Sequence, residues 1–515
     1  MVVQSIYNTN SLTNQFLKEC IHKNQIESNN RKRIFLTPHA GIQESQSCAI
    51  LTLQYLPENP NKIMIIATNH GYIPNENIEI KEENDIKNFL EKEHSARINT
   101  NIIVKLRKNF QSDNFIYRVY SKKKSIEKTN TILIELKNFL NENPNNVIVF
   151  TTDLSHEDNI TTSEVLEKEQ NLLNYIFMNK ISNENQETIP NEIESISACG
   201  GYNLYLFLRL CKKLNQYTEI MDYNNSQNMK DYWTSKKYNR IVSYLGLSNN
   251  NNIENTFIKN IQFYLKFSCS YSRSILLEEV ENRKEEITFS NFNLNIENPI
   301  FITIEKETFP EMGKSFISNG FQDKVDTEVL GCIGNSSSQN LEEKVKNISY
   351  KLIHDNKNRW KTILTPELIK SKNFKIHISV LEKISDWKKI EIPIKDKTIG
   401  YAIGEKNKNN ENEINYSGIF LPSVWADDNP SWSTEEYINQ LKRKGGIYGN
   451  SNYNIFLFRS ISLENEQFLN KKEECILKFI LHINKFQYII NNIKKNKTSI
   501  QNSKIYQGNQ DLSSY

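Results

Sequence analysis

The sequence predicts an α/β domain followed by an α+β domain and a C-terminal helix, and three observations lead to this fold class. Short, continuous apolar runs alternate with helix-like stretches in the first half, which is typical of a mainly parallel central sheet. In the second half, strand-like and helix-like segments follow one another without regular alternation, which favours α+β. Near the end of the chain, apolar residues recur at roughly helical spacing within residues 473–494.

Four apolar runs in the first half predict strands that are buried on both faces. They are Arg33–Thr37, Lys62–Ala67, Asn146–Phe150 and Arg240–Leu245. The helices predicted between them are Glu82–Glu93, Lys128–Leu140, Ser163–Asn179 and Tyr202–Leu214. We therefore place the first domain at residues 1–247 and interpret the asparagine-rich stretch 248–256 as a polar linker.

The second domain is predicted to span residues 257–460. It opens with an amphipathic stretch, and its strand-like and helix-like runs are Phe257–Val280, Pro299–Ile304, Leu341–Asp355 and Phe374–Leu381. Residues 461–515 are expected to hold the C-terminal helix and a loose tail. The apolar stripe of that helix predicts a core or domain-docking surface.

Composition argues against several classes of function. With 64 basic and 61 acidic residues the net charge is +3, and no basic block is present, so neither nucleic acid nor an anionic membrane is an expected partner. No run approaches the 18 or so apolar residues of a membrane span, and the N-terminus lacks the apolar segment of a signal peptide. The seven cysteines are scattered without a CxxC pair, which favours a reducing compartment. We expect a cytoplasmic protein.

Histidines follow three of the predicted strands or lie close to their ends. His39, His70 and His156 occupy such positions, Asp153 stands beside the third, and Cys199 precedes a predicted helix. In open α/β sheets the carboxyl ends of the strands form the ligand crevice, so these side chains are expected to cluster there. Two imidazoles and a thiolate suit Fe(II), Cu or Zn, and a helix N-terminus would lower the pKa of the thiol.

Each of these residues also has a structural interpretation. A single histidine after a strand is more often a hydrogen-bonded structural residue, and a single cysteine is more often a small buried apolar residue. The repetition at three strand ends favours a functional site.

A set of motifs in the first domain resembles the Memo family. In order they are Pro38-His-Ala-Gly41, Asn69-His70, Glu93-His-Ser95, Asp153-Leu-Ser-His156, Cys199-Gly200 and Val242-Ser-Tyr244. The resemblance implies a fold similar to the catalytic subunits of class III extradiol dioxygenases. It also implies metal binding by His39, His70 and Cys199, with Asp153 and His156 as the neighbouring polar pair.

Three positions depart from the Memo pattern. Arg97 replaces the usual Glu, Gly201 replaces a basic residue, and Ile42 replaces an aromatic residue. The metal-binding positions are kept while part of the surrounding pocket is changed.

The second domain resembles the AMMECR-type domain. The motifs in order are Pro299–Ile304, Leu330-Gly-Cys-Ile-Gly334, Asp355–Trp360, Glu367-Leu368, Ile378-Ser-Val-Leu381, Gly418-Ile-Phe-Leu-Pro422, Trp432 and Lys444-Gly-Gly446. Leu330 stands where that family has Arg. Cys332 between two glycines is a candidate nucleophile or a buried turn residue, and Lys444 is a candidate anion-binding residue or a solvated loop charge. Without the Arg, we expect a cleft at Cys332 whose thiol is not activated.

Together the two resemblances imply a component of the AmmeMemoRadiSam system, in which both domains occur with a radical-SAM protein. The leading hypothesis is an Fe(II)- or Cu-dependent redox enzyme, of the non-heme dioxygenase type, acting on an unidentified small-molecule or macromolecular substrate. His156 would be its general acid and base, oriented by Asp153. The alternative is a non-catalytic metal-binding or peptide-docking adaptor protein.

Overall fold

The structure is a computed structural model that describes most of the chain between residues 32 and 481. The described residues are 32–40, 42–71, 78–80, 83–107, 114–120, 128–177, 189–227, 233–283, 297–308, 326–335, 339–407, 410–448, 453–464 and 471–481. They form two compact units: the first contains the described residues of 32–227 and 234–263, and the second contains Trp233 and the described residues of 264–481.

The first unit is built on one eight-stranded sheet with helices. Its strands are β1 (Ile34–Thr37), β2 (Ile63–Ala67), β3 (Ile78–Ile80), β4 (Phe115–Val119), β5 (Val147–Thr151), β6 (His156–Thr161), β7 (Tyr217–Asn225) and β8 (Lys237–Asn250). Its helices are α1 (Ile42–Leu53), α2 (Glu83–Lys92), α3 (His94–Leu106), α4 (Thr129–Glu142), α5 (Thr162–Phe177), α6 (Asn191–Glu194) and α7 (Gly201–Lys213). Helix α8 (Ile253–Val280) follows β8.

The centre of this sheet is parallel and its margins are antiparallel. The order is β3-β4-β2-β5-β1-β8-β6, with β7 also paired to β8. The four central strands pair parallel with one another; they are β4, β2, β5 and β1. Every pairing made by the other four strands is antiparallel; these are β3, β6, β7 and β8. Every residue of β1, β2 and β5 is buried, as the continuous apolar runs predict.

The fourth apolar run, Arg240–Leu245, was expected in the parallel part of the sheet, and this expectation is wrong. It lies in β8, which pairs antiparallel with β1, β6 and β7. Only residues 226–236 separate β7 from β8. A parallel connection needs about a dozen residues or more, usually including a helix, so a segment of this length favours antiparallel pairing.

The predicted linker, residues 248–256, is instead the end of β8 and the beginning of α8. Its asparagines serve as local hydrogen-bond partners. The Oδ1 of Asn249 accepts from the amides of Arg33 (3.0 Å) and Ile34 (2.8 Å), and the Oδ1 of Asn252 accepts from Glu254 (2.9 Å) at the start of α8. The asparagine-rich composition predicts a loop here. In the structure, Asn249 instead completes the pairing of a strand and Asn252 caps a helix.

The second unit is α+β, built on a seven-stranded sheet in which every pairing is antiparallel. The order is β10-β9-β11-β15-β13-β14, with β12 beside β15. The strands are β9 (Ile300–Thr308), β10 (Asp326–Asn335), β11 (Phe374–Leu381), β12 (Lys388–Ile390), β13 (Ile399–Asn407), β14 (Asn410–Phe420) and β15 (Asn454–Glu464). The helices are α9 (Leu341–Arg359), α10 (Pro366–Lys370), α11 (Thr434–Lys444) and α12 (Lys471–Ile480).

Helix α12 is the described part of the predicted C-terminal helix, and residues 482–494 of that prediction lie outside the described residues. Among the described helices, none has the sustained apolar length that crossing a bilayer requires. The six described cysteines are all free thiols.

We predict that Gly246→Ala destabilises the first unit by about 1–3 kcal/mol. A Cβ at this β8 position would overlap the hydroxyl of Thr52 on α1 and lie 3.2 Å from its Cβ. Thr52 has little freedom to move, because its hydroxyl donates to the carbonyl of Cys48 at 2.8 Å. Urea unfolding followed by circular dichroism measures the loss.

Gly201→Ala is the matched control, because the Cβ would meet nothing closer than 3.6 Å, the distance to Ile193. Its stability should stay within about 0.5 kcal/mol of the wild type. Equal stability of the two variants would contradict the predicted packing of β8 on α1.

Candidate metal centre

The candidate centre lies where three parallel strands end side by side. Thr37 of β1 pairs with Thr151 of β5, and β5 also pairs with β2, whose last residue is Ala67. His39, His70 and Asp153 each follow one of these strands within three residues. Parallel pairing therefore brings them to one edge, as the sequence predicts.

Three imidazoles meet at this edge. The ring centroid of His39 lies 5.1 Å from that of His70 and 5.5 Å from that of His94, and the last two are 4.2 Å apart. One nitrogen from each ring lies within 4.8 Å of the others. Small side-chain movements would bring such nitrogens to the ~2.0–2.1 Å that imidazole ligands adopt around a metal ion.

Glu93 fixes the ring of His70. Its Oε1 lies 2.8 Å from Nδ1 of His70, and Oε1 also accepts from the amide of Ser95 at 3.0 Å, which caps α3. Burial opposes ionisation of Glu93, but the hydrogen bonds from His70 and Ser95 outweigh it and lower its pKa. An ionised Glu93 holds the proton of His70 on Nδ1, which leaves Nε2 free to bind a metal.

His39 is completely buried, and its backbone is held by Asp153. Asp153 Oδ1 accepts from the amides of His39 (2.8 Å) and Ala40 (3.2 Å). Burial lowers the pKa of His39 well below its usual value, and the neighbouring His70 and His94 lower it further. The ring is therefore neutral, and its Nδ1 has no hydrogen-bond partner among the described residues.

Cys199 approaches the same histidine from the loop before α7. Its Sγ lies 3.3 Å from Nε2 of His39, and the amide of Asp153 donates to it at 3.3 Å. The side chains of Asp153, His39 and Cys199 form a second group with the spacing of metal ligands. Gly200 allows this close approach, because a Cβ there would lie 2.6 Å from Oγ1 of Thr68.

The expectation of a lowered thiol pKa at Cys199 is wrong for the metal-free site. Burial, followed by the charge of Asp153, raises the pKa of Cys199 to about 12. Helix α7 does begin at Gly201, but desolvation of the thiolate exceeds the effect of the helix dipole.

The predicted ligands His39, His70 and Cys199 are thus divided between two groups that share His39. His94, which the sequence interpretation did not count as a ligand, completes the imidazole group. The signal was present in the Glu93-His-Ser95 motif, but His94 is the first residue of a helix and follows no strand.

His156 is oriented differently from the prediction. Its Nδ1 lies 2.9 Å from the carbonyl of Leu154, and its amide donates to Oγ of Ser197 at 2.8 Å. The Oδ1 of Asp153 is engaged by the amides of His39 and Ala40, so Asp153 does not hold the His156 ring. Burial raises the pKa of Asp153, and His156 is among the groups that oppose this shift.

Comparison with known families decides what these two units are. The profile of the Memo-like protein family matches residues 75–248, and the AMMECR1 profile matches residues 269–463. The chain carries a Memo-like domain followed by an AMMECR1 domain. A comparison with curated proteins finds no match. A crystal structure of an uncharacterized protein from Pyrococcus horikoshii aligns at 20% identity and TM-score 0.29, over 39% of this chain and 92% of that one.

Arg97 is one of the three residues that depart from the Memo pattern, and it lies outside the imidazole group. Its Nη1 donates to the carbonyls of Glu91 (3.0 Å) and Leu90 (3.5 Å) at the end of α2. The guanidinium thus stabilises a helix C-terminus. Ile42 is the first residue of α1, and Gly201 is the first residue of α7.

In the AMMECR1 domain, Lys444 is among the groups that lower the pKa of Cys332, whereas a site shared by the two residues stays a prediction. Leu330 stands where the AMMECR-type family has Arg, so we expected no cation near this thiol. Two other cations, Lys444 and Arg359, nevertheless lower the pKa of Cys332. Burial nevertheless dominates and raises the pKa of Cys332, as expected for a thiol that is not activated.

We predict that Glu93→Gln lowers the affinity of the Memo-like domain for Zn(II) or Co(II) by about tenfold, and Glu93→Ala by up to about a hundredfold. The amide keeps an acceptor for Ser95 but loses the charge that orients His70. Chelator competition on the full chain measures the affinity. Glu91→Gln, an exposed neighbour on α2, is the control and should bind as the wild type does. Unchanged affinity in both Glu93 variants would contradict this role.

Proposed function

We propose that the Memo-like domain is a metal-dependent redox enzyme, or a component of one, that binds Fe(II) or Cu, with Zn as a further candidate. The observation that carries the proposal is the group of three imidazoles from His39, His70 and His94. Imidazole suits Fe, Cu and Zn, whereas Mg and Ca prefer oxygen ligands.

Two features of the residues fit a metal ion. His39 is fully buried and neutral, with an Nδ1 that has no partner among the described residues. A buried polar atom without a partner carries a desolvation cost, which a bound ion or an ordered water would offset. The carboxylate of Glu93 behind His70 is the second feature, since carboxylate–histidine pairs support metal ligation.

A bound Fe(II) or Cu would supply redox and Lewis-acid chemistry. The protein's own contribution is a proton acceptor beside the centre. The carbonyl of Leu154 can only accept, so Nδ1 of His156 is the donor of this hydrogen bond and Nε2 is the nitrogen left to face a substrate. His156 is thereby oriented to accept a proton from a substrate and return it, while Asp153 holds the buried His39 in place.

The proposal gives the AMMECR1 domain the role of presenting or recognising the substrate. The two domains suggest the AmmeMemoRadiSam system. The proposal therefore includes a radical-SAM protein as the partner and the cytoplasm as the location. Free thiols at all six described cysteines support a reducing compartment. The substrate belongs to an unidentified small-molecule or macromolecular class.

A second candidate is a non-catalytic metal-binding or peptide-docking adaptor. The specific observation in its favour concerns Arg97, which replaces the usual Glu of the Memo family. Its guanidinium binds the end of α2 and lies outside the imidazole group. An adaptor needs the metal ligands but not His156, and this difference separates the two candidates.

We predict that His94→Ala and Cys199→Ser separate the two ligand groups. If the imidazole group binds the ion, His94→Ala lowers Co(II) affinity by at least tenfold and Cys199→Ser has a smaller effect. If the thiol group binds it, the wild type shows a thiolate-to-Co(II) charge-transfer band that Cys199→Ser abolishes. Titration of the anaerobically purified chain, followed by absorption spectroscopy, gives both readouts. Retention of full affinity in both variants would exclude a centre at His39.

We predict that His156→Ala retains the wild-type metal content, because the ring belongs to neither ligand group. His39→Ala, which removes the residue common to both groups, should lose the metal. Elemental analysis measures the content. Oxygen consumption with a panel of catechol-like and peptide substrates then tests the enzyme.

Loss of turnover in His156→Ala at full metal content supports acid–base catalysis, typically by a factor of about 10²–10⁴. Undiminished turnover contradicts the role of His156. Absence of metal-dependent oxygen consumption across the panel in the wild type favours the adaptor.

A further inference from the structure

The segment Asp153–His156 leads from the candidate metal centre into β6, and its first three residues lie outside any helix or strand. Its four backbone amides all donate hydrogen bonds, and each partner belongs to a different part of the chain. The amide of Asp153 donates to Sγ of Cys199 at 3.3 Å, and that of Leu154 donates to the carbonyl of Ser243 at 2.8 Å. Because the segment has no regular structure, partners of this kind determine its conformation.

Two side chains hold the second half of the segment. The amide of Ser155 donates to Oε1 of Glu169 on α5 at 2.9 Å, and the amide of His156 donates to Oγ of Ser197 at 2.8 Å. The imidazole of His156 turns back onto the segment, where its Nδ1 donates to the carbonyl of Leu154 at 2.9 Å. The carbonyl that holds the ring is therefore followed directly by the amide that Glu169 holds.

One peptide group links Glu169 to the ring of His156. The carbonyl of Leu154 and the amide of Ser155 belong to the same peptide bond. This bond is trans, and a trans peptide group is planar, so its N–H and C=O point in opposite directions. The hydrogen bond to Glu169 therefore also fixes the direction in which the carbonyl faces the ring.

Glu169 is itself held firmly. Its side chain is fully buried, and the hydroxyl of Tyr223 on β7 binds its Oε2. Burial raises the pKa of Glu169, which favours the uncharged carboxyl group. A hydrogen-bond acceptor needs no charge, so Oε1 can serve the Ser155 amide in either state.

Packing alone does not explain a carboxyl group at this position. A buried carboxyl group loses its hydration, and an apolar side chain of similar size would fill the same space without that loss. The amide of Ser155, which is also fully buried, would then have no acceptor from α5. The hydrogen bond to this amide is therefore the specific contribution of Glu169.

We propose that Glu169 is a positioning residue, which orients the imidazole of His156 through the peptide group between Leu154 and Ser155. Glu169 belongs to neither metal-ligand group and acts through this peptide group alone. The inference rests on the proposed function for the importance of His156 in catalysis. The orientation itself is a property of the fold and is measured without a substrate.

Nitrogen-15 NMR of the imidazoles in the full chain tests the orientation. In the neutral ring, a hydrogen bond from Nδ1 to the Leu154 carbonyl selects the tautomer that carries its proton on Nδ1. The two tautomers differ in the nitrogen-15 shifts of both ring nitrogens. Spectra are recorded with Zn(II), a diamagnetic ion, at about pH 8, which is above the usual titration range of imidazoles. His156→Gln assigns the signals.

Glu169→Met is expected to reverse the tautomer preference of His156. Methionine fills a similar volume, but its thioether is a weak acceptor, so the peptide group loses its anchor. The Nε2–H tautomer, which free histidine favours, should then become the major form. Glu169→Gln keeps an oxygen acceptor and should retain the Nδ1–H tautomer of the wild type.

Glu219→Met is the matched control for a general loss of stability. Glu219 is another buried carboxyl group on β7, but its partners are Lys32 and Asn250, the latter at 2.9 Å. This variant should lower the thermal stability of the chain and leave the His156 signals unchanged. Circular dichroism and thermal unfolding measure the stability of each variant.

An Nδ1–H tautomer that persists in folded Glu169→Met would overturn the proposal. An equal change in Glu219→Met would overturn it as well, because the shift would then report general loosening of the first unit. If Glu169→Met does not fold, Tyr223→Phe takes its place, since it releases Oε2 of Glu169 and should move the tautomer ratio in the same direction by a smaller amount. An unchanged ratio in Tyr223→Phe would then overturn the proposal.

Turnover separates this inference from the proposed function. With any substrate found in the oxygen-consumption panel, Glu169→Met should lower kcat by up to about a hundredfold at unchanged metal content, and Glu169→Gln should stay close to the wild type. A reversed tautomer with undiminished turnover would contradict the catalytic role of His156 and leave its orientation by Glu169 intact. An unchanged tautomer would contradict the positioning role whether or not the chain is an enzyme.

Discussion

The pairing of β5 with both β1 and β2 is the constraint on which the metal centre depends. All three strands are fully buried, and they pair parallel. Their carboxyl ends are therefore adjacent. The segments after these strands carry His39, His70 and Asp153. Because the strands carry no polar side chain except Thr37 and Thr151, the polarity of this edge comes almost entirely from those segments and from α3.

Much of the fold is predictable from the sequence, for identifiable reasons. Continuous apolar runs marked β1, β2 and β5, and helical periodicity marked α2, α4, α5 and α7 to within about two residues. The Memo and AMMECR-type motifs placed both domains. The failures have local causes: β8 is apolar but antiparallel, and Asn249 and Asn252 complete regular elements although asparagine usually favours loops.

The candidate centre was predictable in part. His39, His70, Asp153 and Cys199 converge because strand ends converge, and that follows from the fold. The contribution of His94 depends on where α3 begins and how its first turn is directed, which is a tertiary property. The sign of the Cys199 pKa shift likewise depends on burial, and sequence spacing carries no information about burial at a single loop residue.

The two ligand groups differ in whether a metal ion must displace a proton in order to bind. The imidazole of His39 is already neutral, so the three-histidine group can bind without releasing a proton from that ring. The thiol of Cys199 is protonated in the metal-free protein, and only the charge of a bound cation would deprotonate it. Binding through the thiol therefore favours higher pH more strongly than binding through the imidazoles.

Glu93 links the orientation of His70 to the start of a helix. The same carboxylate that holds Nδ1 of His70 accepts from the amide of Ser95 in the first turn of α3, and His94 lies between them in the chain. If that turn frays, two of the three imidazoles lose their positions in the same event. Hydrogen exchange at the Ser95 amide therefore reports how often the turn that holds Glu93 opens.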